Sequence, residues 1–298
     1  MKKVTILAVL SLMGQTSWAQ IRDFQTTRLN STAGTGVASI LATEAALLNP
    51  ASSTFFEDSS ISYQSYSTDL KKKNPARDAA GDHFSKNDVS RGLFMADNSG
   101  TLKGGVAYLQ QEEAGFERER MVLHGAAPMG PASSIGVSYN YIQDVLPKKF
   151  SDRHQTHHML SMGTTHIIDQ KTILGLVILD PTRTIKGNER VIGGFQYSVA
   201  ERLIVMADFG AQYTKNVSKQ YLWRAAVQAN VFSDFFIRVG KFYDNPANFK
   251  GTGWGVGWIG PRFGVEFAQK FSEQLGDPTY LYEDETLTDT SLSAILKF

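Results

Sequence analysis

Hydrophobic and polar residues alternate one by one along most of this chain. The longest run is Tyr221 to Val231, where Tyr221, Trp223, Ala225, Val227, Ala229 and Val231 share one parity and Arg224, Gln228 and Asn230 the other. Successive side chains of a strand point to opposite faces, so this stretch predicts a strand with one apolar and one polar face. Its length of about ten residues matches a tilted strand that crosses a bilayer. Leu203 to Tyr213 repeats the pattern, with Val205, Ala207, Phe209 and Ala211 opposite Asp208 and Gln212. Counting such stretches gives fourteen strands, near 59–67, 88–96, 103–111, 118–126, 134–143, 156–165, 171–180, 189–198, 202–213, 220–231, 234–242, 251–258, 262–271 and 289–298. Alternation is poorest in 88–96 and 118–126. The prediction is an all-β protein, a transmembrane antiparallel β-barrel of about 14 strands, whose even number is what a closed bacterial barrel requires.

Two further features agree with a barrel. The connections alternate in length: polar and long at 68–87, 111–118, 143–155, 181–188, 243–250 and 272–288, tight at Val199–Arg202, Phe232-Ser233 and Ile259-Gly260-Pro261. Outer-membrane barrels have short periplasmic turns and longer outside loops, whereas a soluble sandwich has no reason for the asymmetry. The last strand carries Leu292, Ala294, Leu296 and Phe298 on one face and stops on Phe298. It resembles the closing strand of bacterial outer-membrane barrels, which implies that the barrel-insertion machinery is a partner through Phe298; taken alone it would read as the edge of a soluble sheet.

The start of the chain sets the compartment. Lys2 and Lys3, the apolar run Val4–Gly14 and the small residues around Ser17-Trp18-Ala19 predict a signal peptide over 1–19, with the mature chain starting at Gln20. Its apolar core is shorter than the roughly 20 residues that a spanning helix needs. With 0 Cys there is no lipoprotein anchor, disulfide framework or thiolate metal site. A formal charge of +1 gives no basic excess for a nucleic-acid partner. The expected location is the outer membrane of a Gram-negative bacterium, with outer-membrane lipid and lipopolysaccharide as partners; Lys71–Lys73 reads as a basic loop facing lipopolysaccharide phosphates or as a solvated loop. A monomer is expected.

Residues 20–58 do not read as strand and are assigned to an N-terminal plug, ahead of a barrel over 59–298. Thr35–Leu48, rich in Ala and Leu, predicts one or two helical turns, ended at Asn49-Pro50. Non-strand backbone at membrane depth must be shielded from lipid, so the lumen is its expected place. Ser31–Ser39, Thr43-Glu44-Ala45 and Asn49-Pro50-Ala51 together resemble the start of the long-chain fatty-acid and hydrocarbon transporters of Gram-negative outer membranes. The resemblance implies a hatch with Asn49, Pro50 and Ala51 at its turn, a fourteen-stranded barrel around it and passive uptake of small hydrophobic molecules. It also implies an inward kink or gate in an early strand, where Gly104-Gly105 lies; the bland reading of those glycines is an ordinary bulge. A related group with the same fold and hatch acts as anchor, scaffold or shuttle for other proteins, and the strongly polar loop 68–87 suits it equally.

Asp208, Arg224, Arg238, Glu266 and Lys270 have the parity of the inner face, because Arg or Lys on the lipid face costs about 2–4 kcal/mol at the midplane. They grip the plug or simply fill the lumen with ion pairs. Gly253, Gly255 and Gly257, opposite Trp254, Val256 and Trp258, are expected to leave room for plug backbone. His154, His157 and His158 form a histidine cluster, but neighbouring residues of a strand face apart and no metal is expected. No Gly-x-Ser-x-Gly, His-Glu-x-x-His or phosphate loop is present, so neither an enzyme nor a cofactor is predicted.

Overall fold

The computed structural model describes residues 22–40, 42–72, 88–113, 115–146, 154–185, 187–200, 202–232, 234–274 and 285–298. The expected signal stretch 1–19 and residues 73–87 of the expected loop 68–87 lie outside them, whereas Lys71 and Lys72, expected in that loop, belong to the first strand. Fourteen strands form: β1 Ser60–Lys72, β2 Val89–Asp97, β3 Lys103–Glu113, β4 Phe116–Pro128, β5 Ser133–Val145, β6 His154–Ile167 and β7 Thr172–Leu179. The chain continues through β8 Arg190–Ala200, β9 Leu203–Gln212, β10 Tyr221–Asn230, β11 Phe235–Asp244, β12 Phe249–Ile259, β13 Phe263–Gln274 and β14 Glu285–Lys297. Each pairs antiparallel with its sequence neighbours, and β1 pairs with β14 from Ser60↔Lys297 upward, so the sheet closes. Closure leaves no edge strand with unpaired N–H and C=O groups.

The burial pattern is the reverse of a soluble domain's. Leu93, Met121, Leu123 and Phe209 are exposed on the outside, while Gln64, Arg118, Asn140 and Arg238 are buried within. Such a surface suits hydrocarbon outside and a polar interior. Tyr221 packs on Tyr243 near the loop end, and Trp258 on Phe263 near the short-turn end, where aromatic girdles stand. The short-turn end is the periplasmic one in bacterial barrels.

Several strands run further into the expected loops, and two connections are much tighter than expected. β3 ends at Glu113 and β4 starts at Phe116, where the predicted loop was 111–118. The chain turns at Gly115, whose φ of 79° suits a residue with no side chain. The cause of the error is physical: Glu117 and Glu119 face outward at the loop end while Arg118 and Arg120 face inward. Where a strand leaves the apolar band both of its faces are polar, and alternation fades although pairing continues. The same holds at β11–β12, where only Asn245–Asn248 stand between the strands.

The N-terminal segment threads the lumen. Its helix α1 spans Thr27–Ser31, upstream of the predicted 35–48; only α2, Ala42–Ala45, forms within that stretch. Gly36 lies within the Ala/Leu run and Gly34 just before it, and Thr26 caps α1 by accepting the Leu29 N–H. Asn49-Pro50 opens a 3-10 turn, Pro50–Phe55, rather than closing a helix. Asn49 caps it by accepting the Ala51 N–H, and Pro50 takes the first position, where a missing N–H costs nothing.

Candidate functional site

The site is the contact between this inner segment and the wall, and it can be followed from Arg22 down. The Arg22 guanidinium donates to Glu113 Oε1 at 2.8 Å, to both Asp289 carboxylate oxygens at 3.0 Å and to Thr68 Oγ1 at 2.9 Å. It thereby ties the segment to β3, β14 and β1 near the loop end. Burial alone would lower its pKa, but the Asp289 and Glu113 carboxylates raise it above the ordinary guanidinium value. Phe24 then packs with Tyr66, Phe94, Leu109 and Val122 in an apolar cluster, its ring 5.3 Å from that of Tyr66. Lys270 donates to Gln25 Oε1 at 2.7 Å, and the Thr27 N–H donates to Gln64 Oε1 at 2.7 Å.

After α1 the backbone turns sharply, with φ of 55° at Ala33 and 85° at Gly34. The turn presents N–H groups on one side and a carbonyl on the other. Asp208 accepts from Gly36 N at 2.8 Å and from Val37 N at 3.3 Å, while Arg224 Nη1 donates to Gly34 O at 2.9 Å. Asp208 and Arg224 are register partners on β9 and β10. Two adjacent wall residues of opposite charge therefore hold the donors and the acceptor of one turn, an arrangement that suits charge-assisted bonding. Lower down, Asn49 Nδ2 donates to Val37 O at 2.9 Å, tying the segment to itself, and lies 3.1 Å from Thr164 O and Thr165 Oγ1 on β6. Ser134 donates to Ala51 O at 2.8 Å.

Between these bonds the wall is bare. A β-carbon on Gly136 would overlap Ala51 N, and one on Gly163 would overlap Asn49 Oδ1; the two glycines are register partners. Gly175 and Gly194, also partners, abut Val37 and Ala38. Gly240 and Gly253 abut Thr32 and Asn30. The inner wall thus carries glycines on β5 to β8 and on β11 and β12, either side of Asp208 and Arg224, where strand and segment meet closely, a recognised reason for glycine inside a strand.

All five predicted inward charges face the lumen. Asp208, Arg224 and Lys270 touch the segment, whereas Arg238 and Glu266 pair with each other at 3.0 Å. Gly253 and Gly255 meet the segment, at Asn30 and Ser31. Gly257 does not: its space is filled by the Phe236 ring and Glu266, so that expectation is corrected. The strand continues below the reach of α1 there. Gly104 and Gly105 are also reassigned. Their ladders to β2 and β4 run without a register shift, so the wall is closed where a gate or bulge was expected. The neighbouring strands' carbonyls fill the space of their missing side chains. His157 lies 3.9 Å from Asp144 and His158 bonds Tyr139 outside; among the described residues no group of three or more His, Cys, Asp or Glu could hold a metal. Sequence reading missed Arg22, Arg118, Asp144, Arg190, Asp244 and Asp289. The Arg118–Asp144 pair, bidentate at 2.7 Å, lies where charges occupy both faces and parity carries no signal.

No protein-family model and no curated protein sequence matches the chain. Solved structures do. The Pseudomonas putida toluene transporter TodX superposes with a TM-score of 0.69 at 12% identity, covering 94% of this chain and 100% of that one. The CymD monoaromatic hydrocarbon channel gives 0.68 at 11%, over 92% and 97%. The Ralstonia pickettii toluene transporter TbuX gives 0.66 at 12%, over 92% and 98%. The fold is that of the hydrocarbon channels. At such identities the likeness concerns the path of the backbone and not the residues of a site.

Proposed function

We propose that the chain is a plugged outer-membrane barrel of a Gram-negative envelope that lets small hydrophobic molecules pass passively. The observation that carries this reading is the shared fold with toluene and monoaromatic hydrocarbon channels, which extends over more than nine-tenths of the chain. The inner segment occupies the lumen, so passage requires that its stretch from Asn30 to Ala51 shift off the wall glycines. No energy-coupling motif accompanies it, and the gradient of the solute would drive uptake. The test is uptake of toluene into liposomes carrying the protein or a variant without residues 22–58. Uptake by the wild type, increased in the variant, is the expected result; no uptake by either abolishes the transport reading.

A second reading has its own support. The described lumen is polar, with the Arg118–Asp144, Arg190–Asp244 and Arg238–Glu266 pairs facing inward. An apolar solute would meet buried charge, which favours a shut barrel serving as anchor, scaffold or shuttle for other proteins. The same uptake experiment separates the two.

A further inference from the structure

The outer wall is unevenly clad. Across β6–β9 it sinks into a depression of about 510 Å³, bounded by Leu174, Leu176, Phe195 and Phe209. At its centre is Gly193, the register partner of both Leu176 and Phe209. A β-carbon on Gly193 would meet only the Phe209 carbonyl oxygen, at 3.9 Å. The inward glycines Gly175 and Gly194 receive Val37 and Ala38, whereas no side chain of the described residues fills the space before Gly193. Here a single backbone layer separates the plug from the bilayer. A dent in a hydrocarbon-facing wall forfeits dispersion contacts unless an apolar group fills it, and a strand glycine with open space before it is one setting in which a ligand approaches closely.

We propose that the depression seats one acyl chain of a phospholipid from the periplasmic leaflet. The lining is apolar except for Thr164, level with Leu176 and Gly193, and His166, nearer the short turn. His166 is the last residue but one of β6, and Leu174 is the third of β7, so the dent opens toward the short turns. Those turns carry cations. Lys171 immediately precedes β7, and Arg202 immediately precedes β9; both suit a lipid phosphate. The nearby Asp169 carboxylate already accepts the Lys171 and Thr172 N–H groups, at 2.8 and 2.7 Å. The His166 ring lies 2.8 Å from Ser133 Oγ, which holds it at the edge of the dent. The proposal stands whether or not the barrel transports, because the site is on the outside of the wall.

The experiment is native mass spectrometry of the full chain released into detergent from a phosphatidylethanolamine/phosphatidylglycerol bilayer. Wild type should retain one phospholipid. Gly193→Phe fills the dent without touching the plug and should lower the lipid-bound fraction about tenfold; Ala207→Leu, on the opposite side of the dent, is the second filler should the first fail to fold. The Lys171→Gln/Arg202→Gln variant should weaken retention of phospholipid but not of an uncharged alkyl detergent. Wild type free of lipid, or equal retention by folded filler variants, overturns the proposal. A wild-type dimer that the fillers split also overturns it, by making a second copy the occupant.

Discussion

At the scale of single residues, the decisive contacts are between charged wall side chains and main-chain groups of the plug. Asp208 is the clearest case: fully inside the lumen, it accepts two N–H groups that have no other partner in their turn. Asp208→Ala would leave both donors buried and unpaired, at a cost of about 2–4 kcal/mol. The expected result is a lower unfolding temperature in detergent, with faster hydrogen exchange at Gly36 and Val37 while the strand amides stay protected. Unchanged exchange at those two amides would show that the clamp does not hold the turn. Asp208 was legible from sequence, because its neighbours Val205, Ala207 and Phe209 fix its parity. Its partner was not, since no pattern in residues 34–37 announces that their N–H groups point at one carboxylate.

At the scale of elements, the plug is held by what the strands lack. Strands β5 to β8, β11 and β12 present glycine where the inner segment approaches, and most seats are points of backbone-to-backbone contact. Gly253→Ala puts a methyl group where the Asn30 carbonyl oxygen stands. The plug would have to lift away from β12, costing about 1–3 kcal/mol. Limited proteolysis should then cut within residues 22–58 at protease levels that leave the wild type whole, while the barrel keeps its heat-modifiable mobility on gels. Gly257→Ala should loosen the plug far less, because Gly257 faces Phe236 and Glu266. Equal proteolysis of the two variants would refute the seating role of Gly253. Parity alone put all three glycines on the inner face. The separation between Gly253 and Gly257 depends on how far α1 reaches, which strand periodicity does not encode.

At the scale of the whole molecule, closure by β1 and β14 fixes everything else. The β14 strand ends with Phe298 exposed beyond Lys297, its N–H donating to Ser59 O at 3.0 Å across the seam. We propose that the exposed Phe298 ring is the group read by the insertion machinery. Deleting Phe298 should cut the amount of folded protein in outer membranes several-fold while refolding in detergent micelles proceeds, since the residue adds one backbone bond to the barrel and no core packing. A parallel loss of refolding would assign it a structural role instead.

Period-two alternation by itself determined the strands, their number and which side chains face in. This follows from the geometry of an extended chain between lipid and a polar lumen: every second residue must be apolar, and violations are costly wherever the wall is in contact with hydrocarbon. The same cause set the limits of legibility. Past the apolar band, at the loop ends of β3, β4, β11 and β12, both faces are wet, and the strands run on where loops are expected. In the plug, no face is exposed to lipid at all, so neither α1 nor the turn at Gly34 left a periodic trace. Only the tertiary structure brought Asp208 and Arg224 to one turn, placed the glycines of neighbouring strands against the plug and closed the wall over Gly104 and Gly105. Those outcomes depend on register and on the path of the plug through the lumen, which are set by contacts between residues far apart in the chain.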